Sequence, residues 1–402
     1  MKTPVILCFS LAFLLISGAA STGNSQENAV SDVDTLAYSA FDYDDGTTLY
    51  LYDAGRDENK MLYQSKDRLH FVFGSQGRIA FSTEWTWENN GKLFVMDPTD
   101  PDQPLVNLSR ELDITGYPLG WSGDGSYLAF ASVVNGGPQQ AIYIWDGITA
   151  IDITPQHTPG NPQGFDVAWS PDGRLAFTVW FGYSNLDPRS EIYIWDGQVT
   201  FNLSQSADAV DRDPAWNGRG ELAFGSTQEN EYILLLWDGT SYVDGSPDVS
   251  SFTRIASQLH IYSSYSTWVN DELLAFAAYA PQDTHVQIYV WDRQTLTDMS
   301  QNPDSHNGGS GWSQDGYWAF VTFFSNQQRL YVRDAQNSTV FEARGQYIPA
   351  WSSEGSLIFC SRNDPSRWNL LRWDHASVSI LAEGDEIFAQ WRSGQMTVCS
   401  NG

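Results

Sequence analysis

The chain has 402 residues, with 49 Asp and Glu against 21 Lys and Arg, a formal net charge of −28 and a pI near 4.3. Clustered Lys and Arg are absent, which argues against nucleic acid as a partner and disfavours anionic membrane surfaces. A strong negative field favours solubility and cationic partners.

Lys2 precedes an apolar run over residues 5–16, and small residues follow near Ala19 and Ala20. This order predicts a cleaved secretory signal over 1–20 and a flexible leader over 21–33. Cys8 lies inside the apolar run after Leu7, so a lipoprotein site is not expected. The run is short for a membrane span, and nothing later reaches spanning length, so no membrane insertion is expected. The mature protein is expected to be extracytoplasmic: secreted, periplasmic or at the cell surface.

From residue 34 on, a pattern repeats. An aromatic residue, a short turn and a small apolar run occur as FGSQGRIAF from Phe73, WSGDGSYLAF from Trp121, WSPDGRLAF from Trp169 and WNGRGELAF from Trp216. They continue as WVNDELLAF from Trp268, WSQDGYWAF from Trp312, WSSEGSLIF from Trp351 and WRSGQMTV from Trp391, at steps of 39 to 52 residues. A second landmark is an alternating strand ending in Asp, as in IYIWD at 142–146 and 192–196. A weaker third landmark follows, such as FNLSQ from Phe201. Period-2 alternation bounded by Gly, Pro, Asn and Asp is strand chemistry. Each unit therefore supplies four strands, and a period near 40–50 residues predicts a β-propeller.

The Asp and Gly residues recur around the ring, so they are expected to build turns rather than a site. The recurring Trp is expected to wedge between neighbouring sheets. Seven units are complete. Segments 36–40, 49–53 and 61–64, with 387–391 and 396–399, are expected to form an eighth sheet from both termini, which removes the open edges. One strand is surplus in that sheet. The predicted fold is all-β, an eight-bladed propeller of four-stranded antiparallel blades in one domain over 34–402; seven blades is the alternative.

The sequence WSPDGRLAF followed by IYIWDG resembles the WD40-like repeat of TolB-type propellers over roughly residues 34–402. Phe73 replaces the Trp of the pattern, WNGRG lacks its Asp, and WVNDE lacks its Gly and Ser–Pro. TolB-type proteins carry an additional α/β domain ahead of the propeller, for which this chain has no room. Related propellers precede serine peptidase domains, but no G-x-S-x-G elbow is present.

After signal cleavage Cys360 and Cys399 remain. Both fall at second-strand positions of neighbouring blades. Facing sheets lie about 10 Å apart, long for a disulfide. Two buried thiols is one expectation; a bond pinning the C-terminus is the other.

In a four-stranded blade the second-to-third loops and the blade-to-blade loops share one face. The first set offers an aromatic rim: Trp85, Trp87, Trp180, Phe181, Tyr183, Tyr279, Phe323 and Phe324, with Trp368 beside them. Flat aromatics beside amides suit sugar rings or an extended peptide. The second set offers a channel mouth: Arg68, His70, Asp166, Asp211, Arg212, Asp213, His306, Asn307, Tyr347 and Glu386. Only Asp211 and Asp213 have even a weak metal-ligand spacing, so no metal and no cofactor is expected. DYDDG at 42–46 lacks the spacing and distal Glu of a calcium loop.

The chain therefore reads as a binding scaffold for a protein, peptide or glycan, expected as a monomer, with no catalytic residues assigned. The alternative is a propeller lyase or glycosidase in which Asp166, Asp213 and His306 converge. A purely structural spacer is a third class.

Overall fold

The turn residues of the repeat do what their chemistry allows. Asp146 Oδ1 accepts hydrogen bonds from the amides of Ile148 and Thr149 at 2.8 and 2.7 Å. Asp196, Asp238, Asp292 and Asp374 repeat the motif two and three residues on. In the other turn, Ser122 Oγ donates to Asp124 and Gly125 takes φ +71°. Where the pattern loses these residues, Asn replaces them. Asn217 Oδ1 accepts from the amides of Arg219 and Glu221, and Asn270 Oδ1 from those of Glu272 and Leu273. In blade four Gly220 still takes φ +78°, whereas in blade five Asn270 closes the turn without glycine.

In this computed structural model, residues 34–400 are described except 84–90, 99, 101–104, 134–139, 157–161, 163, 182–188, 207, 229–230, 244, 281–282, 325–326, 345 and 365–366. The expected signal and leader lie outside the described residues. The strands assemble into eight antiparallel blades. Blades one to seven span residues 70–107, 117–152, 165–202, 210–255, 260–298, 306–344 and 346–384. A single parallel bridge between Ser190 and Val210 joins blades three and four into one continuous sheet. A short helix, Leu108–Leu112, follows blade one and is capped by Asn107 Oδ1.

The eighth blade has five strands, in the order Glu58–Ser65, Gly46–Asp53, Thr35–Asp42, Glu386–Trp391, Met396–Cys399. Leu36 pairs with Trp391 and Phe41 with Glu386, so head and tail share one antiparallel ladder. The surplus strand is Met396–Cys399, which lies innermost against Gln346–Trp351 of blade seven. Its approach is held by Gln395, whose Oε1 accepts from the Trp351 amide at 2.7 Å and whose Nε2 donates to the Trp312 carbonyl at 3.3 Å. Gln390, fully buried, accepts from the Phe73 amide at 2.8 Å. The closing hairpin thus touches blades six, seven and one. Cys399 is consequently an extra, inner position rather than a second-strand one. Its Cα comes within 5.5 Å of Cys360, and the two form a disulfide. The spacing of about 10 Å between facing sheets does not apply to a strand that lies innermost against blade seven.

The core lies between blades. Five wedge indoles donate to the carbonyl just ahead of the preceding blade's aromatic: Trp169 to Gly120, Trp216 to Ala168, Trp268 to Ala215, Trp351 to Gly311 and Trp391 to Ala350, at 3.0–3.3 Å. Arginines after the turn cover some of these rings, as Arg174 does Trp216 at 4.6 Å. Burying one indole removes about 150–250 Å² from water, worth roughly 4–6 kcal/mol at about 25 cal/mol per Å². The hydrogen bond adds about 1 kcal/mol. Burial therefore drives the wedge and the bond sets its angle.

Candidate functional site at the channel mouth

Each inner strand begins at the face that also carries the second-to-third loops, because antiparallel strands return there. Inner strands of blades two, four, five, six and seven carry register shifts along this stretch. Such bulges re-aim side chains. In blade four the bulge lies between Arg212 and Ala215, and Asp213 adopts φ +57°. That conformation costs a non-glycine residue on the order of 1 kcal/mol and is found at functional positions.

The bulge brings Asp213 toward Asp166 of blade three. The Asp166 carboxylate accepts from Trp180 Nε1 at 3.0 Å. Burial, then the charge of Asp213, pushes Asp166 up to about 7, against the opposing pull of Trp180 and Arg212. Arg212 Nε lies 3.7 Å from Asp213 Oδ2, and the guanidinium sits 5.3 Å from the Tyr232 ring centroid. This cluster holds one exchangeable proton near neutral pH beside an indole and a guanidinium. It can donate, accept and stack on a polar ligand.

Around the ring the remaining mouth residues form separate groups. Arg68 grips Glu386 bidentately at 2.9 and 2.7 Å and lies over Phe41 at 4.6 Å. His70 packs edge-on to Tyr117, 6.1 Å away, with Phe388 on its other side at 6.2 Å. Burial pushes His70 down to about 4, so it is neutral at pH 7. His306 sits with His285 at 4.9 Å and Tyr279 at 6.5 Å, and its Nδ1 accepts from the Val286 amide. His306 therefore does not join Asp166 and Asp213; it belongs to blade six, while they belong to blades three and four.

Two mouth expectations are corrected. Asp211 is 1% exposed and points between blades three and four, because the strand alternation and the bulge turn it away from its neighbours Arg212 and Asp213. Asn307 is 2% exposed, with its Nδ2 donating to the carbonyls of Val286, Asn302 and Ser305. It fixes a connection and presents nothing to a ligand. Tyr347 lies in the inner strand of blade seven, with its side chain outside the described residues.

The aromatic rim is described only in part. Trp85, Trp87, Tyr183 and the Phe324 side chain lie outside the described residues. Trp180 and Tyr279 are half-buried near Asp166 and His306, and Phe323 is 40% exposed. Phe181 is not on the rim: it packs with Ile142, Phe165 and Val179. Trp368 is also buried, beside Leu370 and Trp391. Both fill the apolar spaces between blades. Asp42 of the DYDDG stretch accepts from the Asp44 amide and pairs with Arg367 at 2.9 Å, which is turn and closure chemistry. Among the described residues, no group of three or more His, Cys, Asp or Glu is arranged to hold a metal.

The sequence reading missed Tyr117, Tyr232 and His285. Tyr117 was findable, since it opens an inner strand as Asp166 nearly does. Tyr232 and His285 sit at the start of third strands, where nothing in the repeat marks them.

No family model and no curated protein matches the chain. Among solved structures it is similar to dipeptidyl peptidase 4 from Porphyromonas gingivalis, with TM-score 0.58 and 14% identity, over 86% of this chain and 59% of that one. It is also similar to the β-propeller domain of the Trilobed protease from Pyrococcus furiosus, with TM-score 0.49 and 12% identity, over 88% and 95%. TolB from Acinetobacter baumannii matches with TM-score 0.38 and 14% identity, over 65% and 62%. The chain thus spans less than two thirds of the TolB and dipeptidyl peptidase chains. At these identities the likeness concerns fold alone. The protein is a β-propeller, and among the described residues no helix is long and apolar enough to cross a membrane.

Proposed function

We propose that this propeller is an extracytoplasmic binding scaffold whose channel face holds a protein, peptide or glycan ligand. The observation that carries the reading is the gathering of charged and aromatic side chains at one end of the ring. Asp166, Trp180, Arg212 and Asp213 form one group at blades three and four, and the Arg68–Glu386 pair and His306 form others around the ring. Hydrogen-bonding groups beside exposed ring faces suit sugars and peptide backbone alike. The disulfide between Cys360 and Cys399 supports the location, because such bonds persist in oxidising compartments. The net charge of −28 favours a soluble surface and cationic partners.

The test is a panel of glycans, peptides and envelope extracts against the purified protein and its Trp180→Ala and Arg212→Ala variants. A ligand captured by the parent and weakened at least about tenfold in both folded variants, roughly 1.4 kcal/mol, supports the reading. A ligand bound equally by all three sinks the proposed face.

One observation favours a second reading. A carboxyl holding its proton near pH 7 beside another acid is the pattern of a general acid–base pair. On that reading the protein is a lyase or glycosidase, with Asp166 as acid. Polysaccharide turnover abolished by Asp166→Asn would select it over the scaffold.

A further inference from the structure

At the end of the ring opposite the channel mouth, the third strand of a blade turns into the fourth on an Asp. In blades two, three and four this edge is apolar. Ile148 is 83% exposed, Ile151 49%, Val199 59%, Tyr242 43%, Val243 54% and Val249 43%. These are six of the fourteen large apolar side chains that are exposed among the described residues, and they fall in three consecutive blades. Single exposed apolar residues are ordinary on a soluble protein, whereas a grouping of them marks a contact surface.

Blade four is also the longest unit of the repeat, with 52 residues from Trp216 to Trp268. Part of the extra length lies between its third and fourth strands. There a hairpin pairs Tyr242 with Pro247 and Val243 with Ser246, and a single 3-10 turn, Val249–Ser251, follows. The hairpin leans across onto blade three: the Tyr242 ring meets Phe201 edge-on at 5.8 Å, and Gln205 Nε2 donates to the Pro247 carbonyl at 3.0 Å. Blade three is tied in turn to blade two by Thr200 Oγ1, which donates to the Ile153 carbonyl at 3.0 Å. Val199 precedes Thr200 and Ile151 lies two residues before Ile153, so the exposed apolar positions of the three blades adjoin.

The charge around them has one sign. Residues 146–152, 196–202 and 238–252 contain six Asp and no Glu, Lys, Arg or His. Arg174, which reaches this edge, is committed: it pairs with Asp172 at 3.0 Å and donates to the carbonyls of Gly239 and Gly220 at 2.8 and 3.3 Å. A second copy of the chain would set acid on acid, at −28 each, and facing like charges suppress a contact. Anionic lipid is disfavoured for the same reason.

We propose that the outer edge of blades two to four docks a basic amphipathic helix of a partner protein, separate from any ligand of the channel mouth. The apolar stripe of the helix lies on Ile148, Val199 and Val243, and the Lys and Arg side chains flanking it face the Asp turns. Length agrees. Three blades at about 10 Å spacing span about 20 Å, the length of about 14 helical residues at about 1.5 Å each. Recognition of this kind reads apolar anchors at i, i+3 or i+4, and i+7.

The probe is a labelled Leu/Lys peptide of about 14 residues with one apolar helical stripe, titrated by fluorescence anisotropy into the full chain. It is expected to bind with a dissociation constant below about 100 μM. A Ser/Lys peptide of equal charge and a Leu/Glu peptide with the same stripe are each expected to bind at least about tenfold more weakly. The triple variant Ile148→Ser, Val199→Ser, Val243→Ser changes exposed positions only, so it keeps the fold, and is expected to lose at least about tenfold in affinity for the Leu/Lys peptide. Ile380→Ser, 55% exposed on the outer strand of blade seven, is expected to leave that affinity unchanged. The proposal is overturned if the triple variant binds as the parent does, if Ile380→Ser loses as much, or if either control peptide binds as well. Loss of peptide binding in Trp180→Ala would place the peptide at the channel mouth and overturn it too. So would a parent dimer in sedimentation that the triple variant lacks, since the surface would then belong to a second copy.

Discussion

The disulfide between Cys360 and Cys399 closes a loop across 39 residues of sequence and joins blade seven to the innermost strand of blade eight. Chain-entropy arithmetic for such a loop gives about 13 cal/mol/K, or about 4 kcal/mol at 25 °C. For a domain of this size that corresponds to roughly 5 °C in melting temperature. The perturbation is the double variant Cys360→Ala, Cys399→Ala. Both residues are fully buried, so mild reductant does not reach the bond in the folded protein. Thermal and urea unfolding, followed by Trp fluorescence, should show a lower midpoint and, because the uncrosslinked unfolded chain is more open, a somewhat steeper urea slope. Two lost sulfurs also leave small voids, so a second comparison is needed. Parent protein unfolded, reduced and refolded in reductant keeps the same side-chain volume and should lose a similar amount. If the reduced parent melts within about 1 °C of the oxidised form, the ladder of residues 35–42 on 386–391 holds the ring unaided and the entropic argument fails.

Asp166 titrates near 7 when folded and near the usual 3.8 when unfolded. The unfolded chain loses this proton first, so the penalty on folding grows as pH rises above about 4, is complete above about pH 7, and is gone only below the unfolded value of 3.8. Asp166→Asn should stabilise the protein at pH 8 by about 2 kcal/mol, with about 4 as the ceiling for a shift of roughly three units. Near pH 4 the gain should vanish; urea midpoints showing an equal gain at both pH values would contradict the assignment. Trp216→Phe breaks the bond to the Ala168 carbonyl, whereas Trp121 Nε1 has no partner to lose. Trp216→Phe should cost about 1–2 kcal/mol more than Trp121→Phe, read from denaturant midpoints; equal losses would deny the bond a role. Asn270→Ala removes the acceptor for two turn amides in blade five and should cost about 1 kcal/mol. A change below about 0.3 kcal/mol would mean that the turn closes on backbone bonds alone.

The ring was legible in the sequence because its parts are local. Strand alternation, the Asp–Gly turns and one aromatic per unit each act within about ten residues, and repetition makes them visible. Even the turns that depart from the pattern kept Asn217 or Asn270, which perform the same backbone bonding. What the sequence could not decide depends on contacts between units. The place of residues 396–399 turned on Gln395 reaching two blades back, and with it the pairing of Cys399. Phe181 and Trp368 look like rim residues in a loop-bearing stretch, yet fill inter-blade space, since either side of a strand end faces a neighbour. Of three consecutive residues, Asp211 turns into inter-blade space while Arg212 and Asp213 reach the mouth, because the bulge after Arg212 takes Asp213 out of the alternation it would share with Asp211. Sequence alone determined the repeat and its closure; the face that each charge reaches was decided only by the packing of blade against blade.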